Sequence, residues 1–219
     1  MEERFRLGVE GIGSVSAALS MPGGELNCGV VTAHGQANDL DHDLLKAFGK
    51  GLAERGYACL RFNFPYREVG KKSPDDVETL MKSYRAARDE LVRRMGDATI
   101  ILAGKSLGAR IASYVAESDG ARGLIFLGYA IHRPGAEPEN YDHLLKIEAP
   151  MLFYAGTRDP FCDVEKLERI LEKREHPSSL QVVEGGNHSF VLPKSDDRPV
   201  ELIYQNIASV AADWLDEYI

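Results

Sequence analysis

Apolar positions along this chain follow two rhythms. Short apolar-rich runs recur at 29–33, 57–62, 99–103, 123–129, 151–154 and 180–184, of which 57–62 carries Arg61 and 180–184 carries Gln181 and Glu184. Runs without polar alternation predict strands covered on both faces. Between them the apolar spacing switches to threes and fours. Leu44, Leu45, Phe48 and Leu52 precede Gly56. Val77, Leu80, Met81, Tyr84, Leu91, Val92 and Met95 precede Gly96. A small-surfaced segment covers 107–117. Val164, Leu167, Ile170 and Leu171 form one further stripe, and Ile203, Ile207, Val210, Ala211 and Trp214 another. These predict helices, with the two glycines as stops. For the second helix, Ser73 is the expected N-cap. Pro74 then lies in the first turn, and Asp75 and Asp76 face the positive end of the dipole. Ahead of all this, 5–9 and 14–19 flank Gly11 and Gly13 and predict an antiparallel hairpin, with a turn at Pro22-Gly23-Gly24. Five strand–helix alternations predict a mostly parallel sheet with helices on both faces. Chemistry in such sheets gathers in loops beyond the carboxyl ends of the strands.

The length of 219 residues suits a single domain spanning 1–219. A composition of 44% hydrophobic and 27% charged residues argues against disorder. The net charge of −8 argues against long-range attraction to nucleic acid or anionic lipid. The longest apolar stretch, 123–131, falls far short of the ~20 residues of a membrane span. Met1-Glu2-Glu3-Arg4 leads into no apolar segment, so no signal peptide is expected. Cys28, Cys59 and Cys162 are odd in number and unpaired in spacing, which points to a reducing cytoplasm.

One motif adds chemistry. Gly104-Lys105-Ser106-Leu107-Gly108 has the form G-x-S-x-G and lies between a buried strand and a helix of small residues. Glycines on both sides allow a turn too sharp for side chains, which lifts the Ser106 hydroxyl above the sheet. The following helix N-terminus favours a developing oxyanion. A serine nucleophile needs a base, and the chain order for this arrangement is serine, acid, histidine. Asp159 follows the strand ending near Tyr154, and His188 follows the last strand. His188 is therefore the expected base and acid, with Asp159 fixing its tautomer. The oxyanion hole is expected from the N–H groups of Leu107 and Gln36, with Ala37 as second choice to Gln36, in the segment His34-Gly35-Gln36-Ala37.

Together His34-Gly35, the serine motif, Asp159 and His188 resemble the α/β-hydrolase superfamily, in strand order over nearly the whole chain. Phe62-Asn63-Phe64-Pro65-Tyr66-Arg67-Glu68, Lys72-Ser73-Pro74-Asp75 and Gly104-Lys105-Ser106-Leu107-Gly108-Ala109-Arg110 look like the small KANL/Tex-type predicted hydrolases, near the dienelactone hydrolases. Dienelactone hydrolases carry cysteine where this chain has Ser106, so lactone hydrolysis does not follow. The stretch Gln36-Ala37-Asn38-Asp39 is also less glycine-rich than the KANL/Tex pattern. Only about twenty residues, 131–150, are available where many relatives insert a helical cap. The resemblance thus implies a cap-less enzyme with an open site. Its substrate would be a small ester or thioester, cleaved through an acyl-enzyme without cofactor or metal. A peptidase, an acyltransferase or a non-catalytic module on the same fold are the alternatives.

Other readings compete at single residues. A phosphate loop ending in Gly104-Lys105-Ser106 would need glycine at Thr99 and loop where 100–103 reads as strand. Lys105 is expected to be exposed at the site mouth. Asp163 is the substitute acid, though it suits an N-cap better. Asn38 to Asp43 reads as a polar loop capping a helix rather than a metal cluster, and Cys162 as a structural thiol. Arg61, Arg67 and Arg110 are expected in salt bridges rather than on a substrate carboxylate. Tyr66, Tyr129, Phe161 and Phe190 are the candidates to line the substrate pocket.

Overall fold

The computed structural model describes residues 1–24, 28–96, 98–138 and 141–219. The chain runs β1 (Glu2–Val9), β2 (Gly13–Ser20), β3 (Cys28–Ala33), α1 (Asp43–Glu54), β4 (Ala58–Phe62), α2 (Pro65–Glu68), α3 (Val77–Met95) and β5 (Thr99–Lys105). It continues with α4 (Leu107–Asp119), β6 (Leu124–Leu127), α5 (Asp142–Lys146), β7 (Met151–Gly156), α6 (Val164–Leu171), β8 (Ser178–Val183) and α7 (Val200–Tyr218). The strands form one sheet in the order β1-β2-β4-β3-β5-β6-β7-β8. β1 is antiparallel to β2 and β2 to β4, while β4 through β8 are parallel. This is an α/β-hydrolase fold with an N-terminal antiparallel hairpin and, among the described residues, no lid. The segment between β6 and β7 holds only the short helix α5 among the described residues.

The hairpin is set by its glycines. Val9 pairs with Gly13, and Gly11 has φ +73, a conformation that costs a residue with a side chain. Each face of the sheet has its own core. Leu44, Leu45, Phe48 and Leu52 of α1 meet Ile207, Ala208, Ala211 and Trp214 of α7 on one face. Each large apolar side chain buried there stabilises the fold by about 1.5–3 kcal/mol. The other face is covered by α3 and α4, with Leu80, Tyr84, Ile111 and Val115 against Val31, Leu60 and Leu102.

The expected elements are present with shifted ends. α3 begins three residues later than the Ser73 cap implies, because Asp76 is its N-cap and accepts the Thr79 N–H at 2.9 Å. Asp75 is engaged elsewhere, accepting the Tyr66 N–H at 2.8 Å. The short helices α2 and α5 carry too few turns to show a period.

β3 is followed by β4 on one side and flanked by β5 on the other. The connections after β3 and β5 therefore leave toward opposite sides and open a crevice at the sheet's carboxyl edge. The β3 loop and the serine motif lie there.

Candidate active site

Ser106 caps α4 with φ 53 and ψ −111. A positive φ at a non-glycine residue costs roughly 1–3 kcal/mol and persists only where packing enforces it. The packing is visible on both sides. A Cβ on Gly104 would overlap the backbone of Gly108, and one on Gly108 would overlap the Ala33 carbonyl at the end of β3. The two glycines thus let strand, turn and helix approach as the motif requires. The Ser106 hydroxyl makes no hydrogen bond among the described residues.

His188 and Asp159 are in contact. His188 Nδ1 lies 2.7 Å from Asp159 Oδ2. The Asp159 side chain is fully buried, and its Oδ1 accepts the Phe161 N–H at 2.8 Å. Both carboxylate oxygens are therefore engaged. An ionised carboxylate only accepts, so Nδ1 carries the hydrogen and the Nε2 lone pair is left free. The Phe161 ring packs on the imidazole at 4.8 Å between centroids. The Asn187 side chain shapes the loop by accepting the N–H groups of Ser189 and Val191 at 2.8 and 3.1 Å.

Sheet register relates this pair to the serine. Lys105 pairs with Leu127, so Gly128 is level with Ser106 on the neighbouring strand path. A Cβ on Gly128 would lie 3.5 Å from His188 Nδ1 and 3.6 Å from Cε1. The imidazole thus rests on the residue beside Ser106, one inter-strand spacing of about 4.8 Å away.

The β3 loop completes the arrangement. A Cβ on Gly35 would lie 3.3 Å from the Ser106 Cβ. Gln36 N–H and Ala37 N–H have no hydrogen-bond partner among the described residues. The Leu107 N–H is in the first turn of α4 and has no intrahelical acceptor. His34 is fully buried and bridges two loops. Its Nδ1 donates to Gly35 O at 2.8 Å, and its Nε2 accepts the Phe64 N–H at 3.0 Å. Burial pushes His34 down to about 4.

Several expectations need correction. Lys105 is 2% exposed rather than at the mouth. Burial lowers it to about 8, against the opposing pull of Asp159. The strand continues through Lys105, so pleat alternation turns its side chain to the face of Ile101 and Ala103. Three of the four aromatic candidates present no surface to a substrate. Tyr66 is fully buried and its Oη donates to Gln36 O at 2.8 Å. Tyr129 is 1% exposed and bonds Ser113 Oγ and His143 Nε2 at 3.1 and 3.2 Å. Phe190 is buried against Tyr154 in the α1–α7 core. Only Phe161 stands beside the site with part of its surface open. Of the three arginines, Arg61 pairs with Glu2, but Arg110 donates to Ala130 O at 2.6 Å, and among the described residues Arg67 donates to Lys71 O at 3.4 Å rather than to a carboxylate.

Other residues behave as expected. Asp163 caps α6 by accepting the Lys166 N–H at 3.0 Å. Cys162 is buried, and burial pushes its thiol up to about 12, which makes it a poor nucleophile. The 38–43 loop differs from the expected cap: α1 has His42 as its N-cap residue with no side-chain cap bond, while Asp39 Oδ1 accepts the Asp41 N–H and Asp41 accepts from Arg4.

With this fold and site, the class is a lid-less α/β hydrolase. A family model for the alpha/beta hydrolase domain matches residues 27–216, and the chain belongs to that family. Solved structures share the fold at low identity. An α/β serine hydrolase without lid from Xanthomonas campestris superposes with a TM-score of 0.77 at 18% identity, over 97% of this chain and 94% of its own. Dienelactone hydrolase from Anabaena variabilis gives 0.79 at 19%, over 100% and 98%. Est1E from Butyrivibrio proteoclasticus, bound to ferulic acid, gives 0.78 at 20%, over 97% and 99%.

Proposed function

We propose that this chain is a serine hydrolase that cleaves carboxylic esters or thioesters of small substrates. The observation that carries this reading is the His188–Asp159 pair resting on Gly128, level with the strained Ser106. In the mechanism, Ser106 Oγ attacks the acyl carbonyl while His188 Nε2 takes its proton. Asp159 holds the ring and stabilises the imidazolium. The Leu107 and Gln36 N–H groups receive the charge on the carbonyl oxygen. Collapse of the tetrahedral intermediate breaks the bond to the leaving alkoxide or thiolate, which takes the proton from His188. Water, activated by His188, then attacks the acyl-enzyme and frees the acid and Ser106. A Ser106 hydroxyl without a hydrogen bond among the described residues fits a bond to His188 that tightens when substrate binds.

Among the described residues only the short α5 lies between β6 and β7, which suits a small or protruding acyl group. Ser106→Ala is expected to lower kcat for p-nitrophenyl acetate by about 10³-fold or more with the fold retained. Turnover at the wild-type rate in that variant would remove the proposal, as would a native protein that a fluorophosphonate fails to label at Ser106.

A further inference from the structure

We infer that Tyr66 is a positioning residue for the oxyanion hole: its hydroxyl, from α2, locks the β3 loop so that backbone N–H groups stay aimed beside Ser106. The inference rests on the hydrolase reading above.

Peptide planarity carries the argument. In a trans peptide the N–H points opposite the C=O of the preceding residue, so fixing the carbonyl fixes the N–H. The Gly35–Gln36 unit is held by two donors on Gly35 O, His34 Nδ1 at 2.8 Å and the Asn38 N–H at 3.0 Å. This aims the Gln36 N–H. The Gln36–Ala37 unit is held by Tyr66 Oη on Gln36 O at 2.8 Å. This aims the Ala37 N–H and prevents the unit from turning. Both candidate donors therefore belong to peptides with pinned carbonyls, in a loop whose Gly35 abuts the Ser106 Cβ.

Tyr66 is itself fixed from several sides. Its N–H donates to Asp75 Oδ2 at 2.8 Å, and its carbonyl accepts the Lys71 N–H at 2.8 Å. Its ring and that of Phe64 pack on His34 with centroids 5.9 and 5.0 Å away. β4 neighbours β3, so a helix directly after β4 stands beside the β3 loop.

The fold has little need of this bond. Gln36 is itself an exposed residue, and phenylalanine at 66 would keep the ring and its apolar contacts with His34 and Phe64. What the hydroxyl adds is direction, which matters only when negative charge develops on the substrate oxygen.

The test is Tyr66→Phe. The kcat for p-nitrophenyl acetate should fall about tenfold, a fraction of the loss seen when a whole oxyanion donor is removed. KM and the thermal midpoint should stay near wild type. Affinity for a trifluoromethyl ketone, which forms the tetrahedral adduct, should fall in parallel with kcat. The heteronuclear NOE of the Gln36 and Ala37 amides should drop. Unchanged kcat, a loss carried by KM, or unchanged amide order would each overturn the inference. Absence of fluorophosphonate labelling at Ser106 in the wild type would instead sink the hydrolase reading, while the amide order still reports whether Tyr66 holds the loop.

Discussion

At the residue scale, Lys105 bears the clearest cost. It is 2% exposed and makes no hydrogen bond or ion pair among the described residues. Burial lowers it from 10.5 to about 8, with Asp159 opposing the shift. The sign follows from proton counting. Below about pH 8 the lysine is charged in both states, and the fold bears the full cost of burying it. As pH rises from about 8 to 10.5, the folded state has lost a proton that the unfolded state still holds, so stability recovers. Lys105→Met is therefore expected to raise stability at pH 7 by about 1–3 kcal/mol. The midpoint should climb by a few degrees, at roughly 2–4 °C per kcal/mol for a chain of this size. Denaturant titrations at pH 7 and pH 10 check this: the gain should shrink at the higher pH, and an equal gain at both would show that the charge is not its source. Sequence alone left Lys105 misplaced because the motif fixes the turn but not where the strand stops. One more strand residue turned the side chain inward.

At the scale of elements, the loops after β7 and β8 must nearly touch for the acid to meet the base. Gly156 permits this, since a Cβ there would overlap the Gly186 carbonyl and lie 2.8 Å from Asn187 O. Both are backbone atoms, which yield less readily than a side-chain end. Gly156→Ala should cost about 1–3 kcal/mol through the forced backbone shift. It should also lower kcat more than it changes KM, because His188 and Asp159 would be pushed apart. A variant with wild-type kcat would show that the loops part without disturbing the pair. Most elements were legible in the sequence because their apolar faces span several turns or a whole buried strand. The placement of Ser106, Asp159 and His188 just past strand ends was legible because each follows such a strand in a motif or in a fixed order. The rest was hidden for physical reasons. α2 and α5 span little more than one turn, so no apolar spacing repeats within them. The burial of Tyr66, Tyr129 and Phe190 depends on partners at Gln36, Ser113 and Tyr154, which no local pattern pairs with them.

At the scale of the whole molecule, acid should act in two stages at two places. His34 is buried and neutral, and its Nε2 lone pair accepts the Phe64 N–H. Burial lowers it from 6.5 to about 4. Between those values the unfolded chain binds a proton that the folded chain refuses, so stability present above pH 6.5 is lost as pH falls toward 4, by up to about 3 kcal/mol. His42 and His143, also pushed down by burial, act in the same direction. The second stage belongs to carboxylates held down by their partners, Glu68 and Glu90 among them. Glu68 is held at about 2, against the cost of its burial, by bonds from the Ser16 N–H, Arg6, Asn63 and the Ser16 hydroxyl. Glu90 is held at about 2 by Arg93, and by Arg94 against a cost of burial. Their stabilisation is complete above about 4.5 and disappears as pH falls toward 2. Glu68 joins α2 to both strands of the N-terminal hairpin, through Arg6 of β1 and Ser16 of β2. The β3 loop should therefore loosen first and the hairpin only in stronger acid. Urea midpoints for wild type and His34→Gln at pH 7, 5.5, 4.5 and 3 separate the stages. The variant should be less stable at pH 7 yet lose less between pH 6.5 and 4, and both proteins should decline alike below 4. Equal slopes in the upper range would mean that His34 does not govern it.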